Sequence, residues 1–137
     1  MESILGTQLR KGTTTIELSE AKFSGCKYIG LYFGAHWAPP CRLFSDNLID
    51  WYSKANLEVK DFEVVFVSLD GNLKAFESNF EDMPWLAIPY TDKEKIKALK
   101  MKYAINGIPS LIIVDGDGNL IKENGADDVR VDFEKAF

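Results

Sequence analysis

The sequence predicts a single α/β domain in which a mixed parallel and antiparallel central sheet is flanked by helices on both faces. A chain of 137 residues, 46% apolar and 27% charged, has the length and composition of one globular domain with one core. Strand and helix patterns alternate in its first half, which favours parallel strands joined by right-handed crossovers. An Asp- and Gly-rich turn between two apolar runs then adds antiparallel strands. We therefore treat residues 1–137 as one domain.

The first half of the chain reads as strand, strand and helix. The segment TTTIEL (13–18) is β-branched and apolar, which indicates a short first strand. The run YIGLYF (28–33) is apolar throughout, as expected of a strand covered on both faces. A helix then begins at Pro39 and Pro40, because proline suits a first turn in which its missing N–H has no intrahelical partner. Its apolar residues recur at helical spacing and form one stripe: Phe44, Leu48, Trp51, Tyr52 and Ala55.

The middle of the chain adds a strand and two helices. FEVVFVSLD (62–70) is rich in β-branched and aromatic residues and indicates a second buried strand. NLKAFESNF (72–80) predicts a short helix, and DMPWLAIPY (82–90) predicts a loop punctuated by proline. In KEKIKALKMKYAI (93–105), one helical face carries three apolar or aromatic residues: Ile96, Leu99 and Tyr103.

The last third predicts a hairpin and a closing helix. In IPSLIIVDGDGNLIKENG (108–125), two apolar runs flank a turn whose glycines tolerate positive φ. VRVDFEKAF (129–137) is compatible with a closing helix.

Charge and hydropathy exclude several classes of function. A net charge of −5 disfavours general affinity for nucleic acid or anionic lipid, since binding to phosphate depends on Lys and Arg. No apolar run approaches the roughly 18 residues of a membrane span, and the N-terminus lacks the apolar core of a signal peptide. Motifs for a metal, a nucleotide or a Ser/His/Asp triad are absent. We therefore expect a cytoplasmic protein, with the nucleus as an alternative, that has no cofactor and no metal.

The two cysteines do not form a disulfide framework. If residues 27–34 form a strand, Cys26 and Cys41 lie at opposite ends of a segment of roughly 26 Å. Because a disulfide requires Cα atoms within about 7 Å, we expect no bond between them. Cys26 is then a turn residue, and a redox-sensing role is the alternative.

The stretch FGAHWAPPCRLF (33–44) is the candidate site. It lies where a parallel strand ends and a helix begins, which is where α/β proteins bind ligands and where the helix dipole favours a thiolate. In a Cys-X-X-Cys motif, two sulfurs separated by two residues carry out thiol–disulfide exchange: one attacks the target disulfide and the other resolves the mixed disulfide. Cys41 occupies the second position, but Ala38 occupies the first.

These residues resemble the tryparedoxin and nucleoredoxin branch of the thioredoxin superfamily, whose motif is Trp-Cys-Pro-Pro-Cys. The corresponding residues are Trp37, Ala38, Pro39, Pro40 and Cys41, and Arg42 follows as in that branch. The likeness extends over about 27–122 and includes FEVVFVSLD, MPWLAIPY and INGIPSLIIVDGDG. It implies a thioredoxin-like fold.

The resemblance also implies roles for individual residues. Cys41 corresponds to the resolving cysteine, and Tyr32 to a buried residue near the motif. Ile108 and Pro109 correspond to the cis-proline element, where the isoleucine backbone pairs with an extended substrate segment. Four further positions are implied in substrate binding: Trp37, Pro39, Pro40 and Trp85.

The implied activity is reduction of protein disulfides, such as those of peroxidase-type proteins. A low-molecular-weight dithiol or a reductase would donate the electrons, and the protein would act as a monomer. Ala38 departs from this pattern at the nucleophile. Because nucleophilic catalysis requires the atom that becomes bonded, the chain as written is predicted to have no turnover.

Three functions remain open. The first is an oxidoreductase whose nucleophilic cysteine has been changed to Ala38 while its substrate platform is kept. The second is a naturally non-catalytic module that docks extended protein segments beside Pro109. The third is single-cysteine chemistry at Cys41, such as glutathionylation or a bridge between chains.

Two polar residues beside the motif also have alternative roles. His36 is expected to face solvent, and tuning of a thiolate is the alternative. Asp70 either caps a turn or carries a proton for the site.

Overall fold

The computed structural model describes residues 5–18, 27–55 and 62–123. Cys26 and the predicted closing helix 129–137 lie outside these ranges. The described strands are β1 Gln8–Lys11, β2 Thr14–Glu17, β3 Tyr28–Gly34, β4 Phe62–Ser68, β5 Leu86–Ala87, β6 Ser110–Val114 and β7 Leu120–Lys122. The described helices are α1 Pro39–Ala55, α2 Leu73–Phe80 and α3 Lys93–Lys102.

The strands form one mixed sheet in the order β2-β1-β5-β4-β3-β6-β7. The central strands β3, β4 and β5 are parallel, whereas β6 is antiparallel to β3 and β1 is antiparallel to β5. This arrangement confirms the predicted mixture of parallel and antiparallel pairing. It also brings the carboxyl ends of β3 and β4 to the same edge of the sheet.

Helices α1 and α2 pack on one face of the central strands. Tyr32 of β3 and Phe66 of β4 are paired in register and lie on that face. Tyr32 contacts the ring of Phe44 in α1 at 5.4 Å, and Phe66 stacks on Phe76 and Phe80 of α2 at 6.1 and 6.3 Å. The aromatic residues of the two strands therefore hold both helices.

The other predicted apolar positions also lie in the core. The opposite face of β3, with Ile29, Leu31 and Phe33, is fully buried. Helix α3 contributes Ile96 and Leu99 to the same core, as its pattern predicts. In the predicted stripe of α1, Phe44, Leu48 and Trp51 are buried and Tyr52 is partly buried. The side chain of Ala55 lies outside the described part.

Two parts of the sheet differ from the sequence-based expectation. The strand predicted over 13–18 is observed as β2, but β1 precedes it and pairs with it as a hairpin. Strand β1 was missed because Leu9 is its only buried residue. The segment 82–90, expected to be a loop, contains the two-residue strand β5. Both elements are short, and pairing with a neighbouring strand defines them better than their own apolar pattern does.

The described helices provide no membrane-spanning segment: none of them is long and apolar enough to cross a bilayer.

Gly34 at the end of β3 leaves the space that the Tyr32 side chain occupies. A Cβ at position 34 would lie 2.8 Å from the Tyr32 hydroxyl oxygen and 2.9 Å from its ring. We expect Gly34→Ala to lower the free energy of unfolding by about 1–3 kcal/mol, the usual range for overpacking. Gly71→Ala is the control, because a Cβ there has no atom within 4 Å, and should change it by less than about 0.5 kcal/mol. Equal effects in denaturant titrations would contradict this account of Gly34.

The turn between β6 and β7 is organised by Asp115. Its carboxylate accepts hydrogen bonds from the N–H groups of Asp117 and Asn119, both at 2.9 Å, and from the Asn119 side-chain amide at 3.1 Å. Gly118 completes the turn at φ +93°. The hydrogen bonds from Asn119, first from its backbone and then from its side chain, are the main cause that lowers the pKa of Asp115.

A lowered pKa makes the contribution of Asp115 to stability dependent on pH. This contribution is complete above the unfolded-state pKa of about 3.9 and is lost as the pH falls through the lower folded-state value. We expect Asp115→Asn to destabilise the protein near neutral pH, with a deficit that shrinks toward about pH 2. Asp117→Asn is the matched control, since within the described ranges that side chain accepts no hydrogen bond. Urea titrations at several pH values measure the free energy of unfolding of both variants. A loss of stability in Asp115→Asn that does not change with pH would contradict the role given to the Asp115 carboxylate.

Candidate functional site

The motif lies at the carboxyl ends of the parallel strands β3 and β4. Residues 35–38 lead from the end of β3 into α1, and the Leu69 N–H donates a hydrogen bond to the Gly34 carbonyl at 2.9 Å. This contact continues the pairing of β3 and β4 one step beyond the ladder. The motif therefore lies at the strand ends where the sequence predicted it.

Helix α1 begins without a side-chain cap. Pro39 and Pro40 have no N–H, and the N–H of Cys41 donates to the Ala38 carbonyl at 2.9 Å. The Ala38 N–H donates to the Ala35 carbonyl at 3.3 Å. A Ser, Thr, Asp or Asn cap usually contributes about 1 kcal/mol by accepting from exposed N–H groups, and here those groups are either missing or already bonded. Alanine at this position therefore leaves the helix start intact.

Burial separates the residues of the motif into two groups. Ala38 is 6% exposed and Cys41 is 1% exposed, so both side chains face the interior. Trp37 is 66% exposed, and Pro39 and Pro40 are exposed as well. The motif thus presents an apolar surface to solvent and keeps the side chains of Ala38 and Cys41 behind it.

The Tyr32 hydroxyl supports α1 from the sheet. It donates to the Cys41 carbonyl at 3.1 Å and shares a hydrogen bond of 2.6 Å with the Ser45 hydroxyl. Burial raises the pKa of Tyr32 well above its ordinary value, and the nearby charges of Cys41, Asp70 and Asp46 raise it further against the opposing Ser45 hydrogen bond. The phenol is therefore neutral and acts as a fixed hydrogen-bonding group.

Asp70 holds the loop that enters the motif. Its carboxylate accepts hydrogen bonds from the His36 backbone N–H at 2.7 Å and from the Ser68 hydroxyl at 2.6 Å. The Tyr90 hydroxyl donates to the Asp70 carbonyl at 2.6 Å. These contacts favour the turn-capping role of Asp70 over a proton carrier. The His36 side chain is exposed, as expected, and only its backbone takes part.

A groove runs beside the motif to the turn before β6. The Ile108–Pro109 peptide bond is cis, which confirms this part of the resemblance. The β3–β6 ladder ends at the pair Phe33–Ser110, so Ile108 lies just beyond the last paired position. The groove has a volume of about 510 Å³ and is lined by Trp37, Leu69, Lys100, Ile105, Ile108 and the two residues between the isoleucines. The fold thus brings Trp37 and Ile108 to one surface.

Trp85 does not lie on this surface. Its indole is 2% exposed and packs edge-to-face against Tyr32 at 6.4 Å and Tyr52 at 5.5 Å. Trp85 therefore packs in the core and does not contact substrate as the resemblance implied, since a buried side chain cannot touch a segment docked on the surface. The resemblance implied substrate binding by Trp85 but did not indicate that its side chain is buried.

Sequence reasoning missed two residues that shape the site. Ser45 follows Cys41 by one helical turn, so the i, i+4 spacing could have indicated that it lies on the same buried side of α1. Lys100 gave no local signal, because tertiary packing alone brings the end of α3 to the groove. The described residues contain no group of three or more His, Cys, Asp or Glu side chains placed to hold a metal.

Comparison with known proteins gives consistent matches. A family model described as Thioredoxin-like matches residues 25–120. Nucleoredoxin of Mus musculus is 40% identical over 131 residues, which cover 96% of this chain and 29% of that protein. The chain therefore spans less than a third of the length of this curated relative.

Two solved structures give the same result. A tryparedoxin-I mutant in which a cysteine is replaced by alanine matches with a TM-score of 0.88 and 34% identity, covering 97% of this chain and 92% of that one. Tryparedoxin II complexed with glutathionylspermidine matches with a TM-score of 0.86 and 37% identity, covering 96% and 90%. These matches confirm the predicted thioredoxin-like fold.

Two tyrosines test the supporting role of the Tyr32 hydroxyl. Tyr32→Phe removes a buried hydroxyl with two partners and should lower the free energy of unfolding by about 1–2 kcal/mol. Tyr103→Phe is the matched control, because the Tyr103 hydroxyl is buried and has no hydrogen-bond partner within the described ranges. This control should leave stability unchanged or slightly higher, as measured by denaturant titration. A loss for Tyr103→Phe equal to that for Tyr32→Phe would contradict the assignment.

Proposed function

The chain belongs to the thioredoxin-like family, in its tryparedoxin and nucleoredoxin branch, and from this premise we propose that its groove binds extended protein segments without exchanging disulfides. Ala38 stands where the branch carries its nucleophilic cysteine. We therefore distinguish binding, for which the chain has a groove, from disulfide exchange, for which it lacks the sulfur atom at position 38.

The groove beside Ile108 carries this proposal. An extended segment can add main-chain hydrogen bonds at Ile108, which lies beyond the last pair of the β3–β6 ladder. The exposed ring of Trp37 offers an apolar contact at the same surface. Neither interaction needs a sulfur atom. Both support binding by a chain with alanine at position 38.

The missing chemistry follows from the two steps of disulfide exchange. A thiolate at position 38 would bond to one substrate sulfur and release the other as a thiolate. The Cys41 thiolate would then attack the sulfur at position 38, leaving a new disulfide and releasing the first substrate sulfur as a thiolate. Because the methyl group of Ala38 can form no such bond, the first step does not occur and Cys41 has no mixed disulfide to resolve.

Two origins are compatible with this function. In the first, the parent protein is an oxidoreductase for protein disulfides, such as those of peroxidase-type proteins, and Ala38 replaces its cysteine. The complex of tryparedoxin II with glutathionylspermidine supports a low-molecular-weight thiol as its electron donor, with a reductase as the alternative. In the second, the chain is a naturally non-catalytic binding module.

The cellular setting is part of the same proposal. We place the chain in the cytoplasm, or alternatively in the nucleus, as a monomer. Two cysteines in 137 residues give it no disulfide framework of the kind that small secreted domains use, which supports a reducing compartment.

Restoring the sulfur tests the proposal and distinguishes the two origins. The unaltered chain should reduce a protein disulfide no faster than the uncatalysed reaction with dithiothreitol. If the parent is an oxidoreductase, Ala38→Cys should raise the rate by on the order of 10³-fold, since loss of an entire nucleophile costs at least that much elsewhere. Ala38→Ser is the matched control and should stay at the background rate.

The remaining outcomes are equally decisive. An inert Ala38→Cys variant that is folded would favour the naturally non-catalytic module. Catalytic turnover by the unaltered chain, with alanine at position 38 verified by mass spectrometry, would contradict the proposed function.

A further inference from the structure

The groove is bordered by a helix whose charge is opposite to that of the chain. The net charge of the whole chain is −5, yet α3 (KEKIKALKMK) carries five lysines and one glutamate. A concentration of one charge sign beside a binding surface attracts partners of the opposite sign and speeds their association. The charge on α3 therefore bears on which segment the groove accepts.

Helical geometry places three of the lysines in one row. Lys93, Lys97 and Lys100 are separated by four and three residues, so they lie above one another along one side of the helix. Lys102 lies on the other side of the buried positions Ile96 and Leu99. We call Lys93, Lys97 and Lys100 the lysine row.

The lysine row reaches the groove at Lys100. This side chain lines the groove together with Trp37 and Ile108, and the other described lining residues are uncharged. Lys100 forms no ion pair within 4.0 Å in the part of the chain that the structure describes. Its charge is therefore available to a ligand in the groove.

Two acidic residues near the motif lie around a different depression, whereas the carboxylate of the buried Asp70 accepts hydrogen bonds from the His36 N–H and the Ser68 hydroxyl. Asp46 and Asp82 line a cavity of about 190 Å³ together with His36 and Arg42, and neither acid lines the groove beside Ile108. The surroundings of the motif are thus divided into a mixed-charge cavity with two acids and a groove with a single positive group. A docked segment meets positive charge on the α3 side.

We propose that the groove selects an extended protein segment with acidic residues where it passes Lys100 and the lysine row. This inference rests on the proposed function, because it specifies the segment that the same groove binds. In this inference, Trp37 and the backbone at Ile108 position the segment, and the lysine row supplies the preference for its charge. Because Lys97 and Lys100 are exposed, each contributes a modest factor of about two to five in affinity, whereas the ammonium of Lys93 already lies 3.0 Å from the centre of the Tyr90 ring.

Fluorescence anisotropy with three labelled peptides tests this inference. The peptides have equal length and an extended, β-branched sequence, and differ only in carrying Glu, Gln or Lys at alternate positions. The Glu peptide should bind more tightly than the Gln peptide, and the Lys peptide should bind most weakly. The differences should shrink as salt is added, since added ions screen exposed charges.

Charge reversal identifies the lysines responsible. Lys100→Glu should abolish or invert the preference for the Glu peptide, and Lys97→Glu should weaken it. Lys102→Glu is the matched control, because it changes the net charge equally on the other side of α3, and it should leave the order of the three peptides unchanged.

The outcomes separate this inference from the proposed function on which it rests. If all three peptides bind with equal affinity, the groove binds segments but the charge preference is overturned. If Lys102→Glu changes the order of the three peptides as strongly as Lys100→Glu does, the preference arises from the net charge of the protein. The inference that Lys100 in the groove causes it is then overturned. If no peptide binds, the proposed binding function itself fails.

Discussion

The hydrogen bonds of the Tyr32 hydroxyl fix the first turns of α1 against the sheet, and the arrangement of the motif depends on them. They join β3 to the Cys41 carbonyl and to Ser45 within the first two turns of the helix. Gly34 leaves the space for the tyrosine, and the ring of Trp85 packs against it from the core. Since this support does not involve the side chain at position 38, the motif keeps its place with alanine there.

This arrangement separates the structure of the site from its chemistry. The proline pair removes donors that a capping side chain would otherwise satisfy, and Asp70 holds the entering loop through the His36 N–H. The exposed Trp37 and Ile108 then line one groove, for which we propose an extended protein segment as the ligand. In the proposed function, disulfide exchange needs a sulfur at position 38 in addition to this groove, so alanine there removes the chemistry and leaves the groove unchanged.

Local sequence patterns predicted those parts of the fold whose conformation is set by nearby residues. The apolar runs of β3 and β4, the stripe of α1 and the Asp115 turn each carry a periodicity or turn chemistry that indicates one conformation. Strand β1 escaped prediction because it buries only Leu9, and β5 because it is two residues long. The cis bond at Pro109 came from the resemblance and not from any local pattern. The placement of Trp85 in the core and of Lys100 at the groove depends on tertiary packing, which a single sequence does not display.

Backbone and indole NMR signals during titration with an extended peptide test the central claim most directly. A ¹⁵N-labelled sample of the unaltered chain should show shifts concentrated at the Ile108 amide and the Trp37 indole N–H, while the mass of the protein stays constant. Such a result would mean that the groove binds the peptide without forming a covalent bond to it. Shifts confined to regions away from the groove, or a covalent adduct of peptide and protein, would contradict the account.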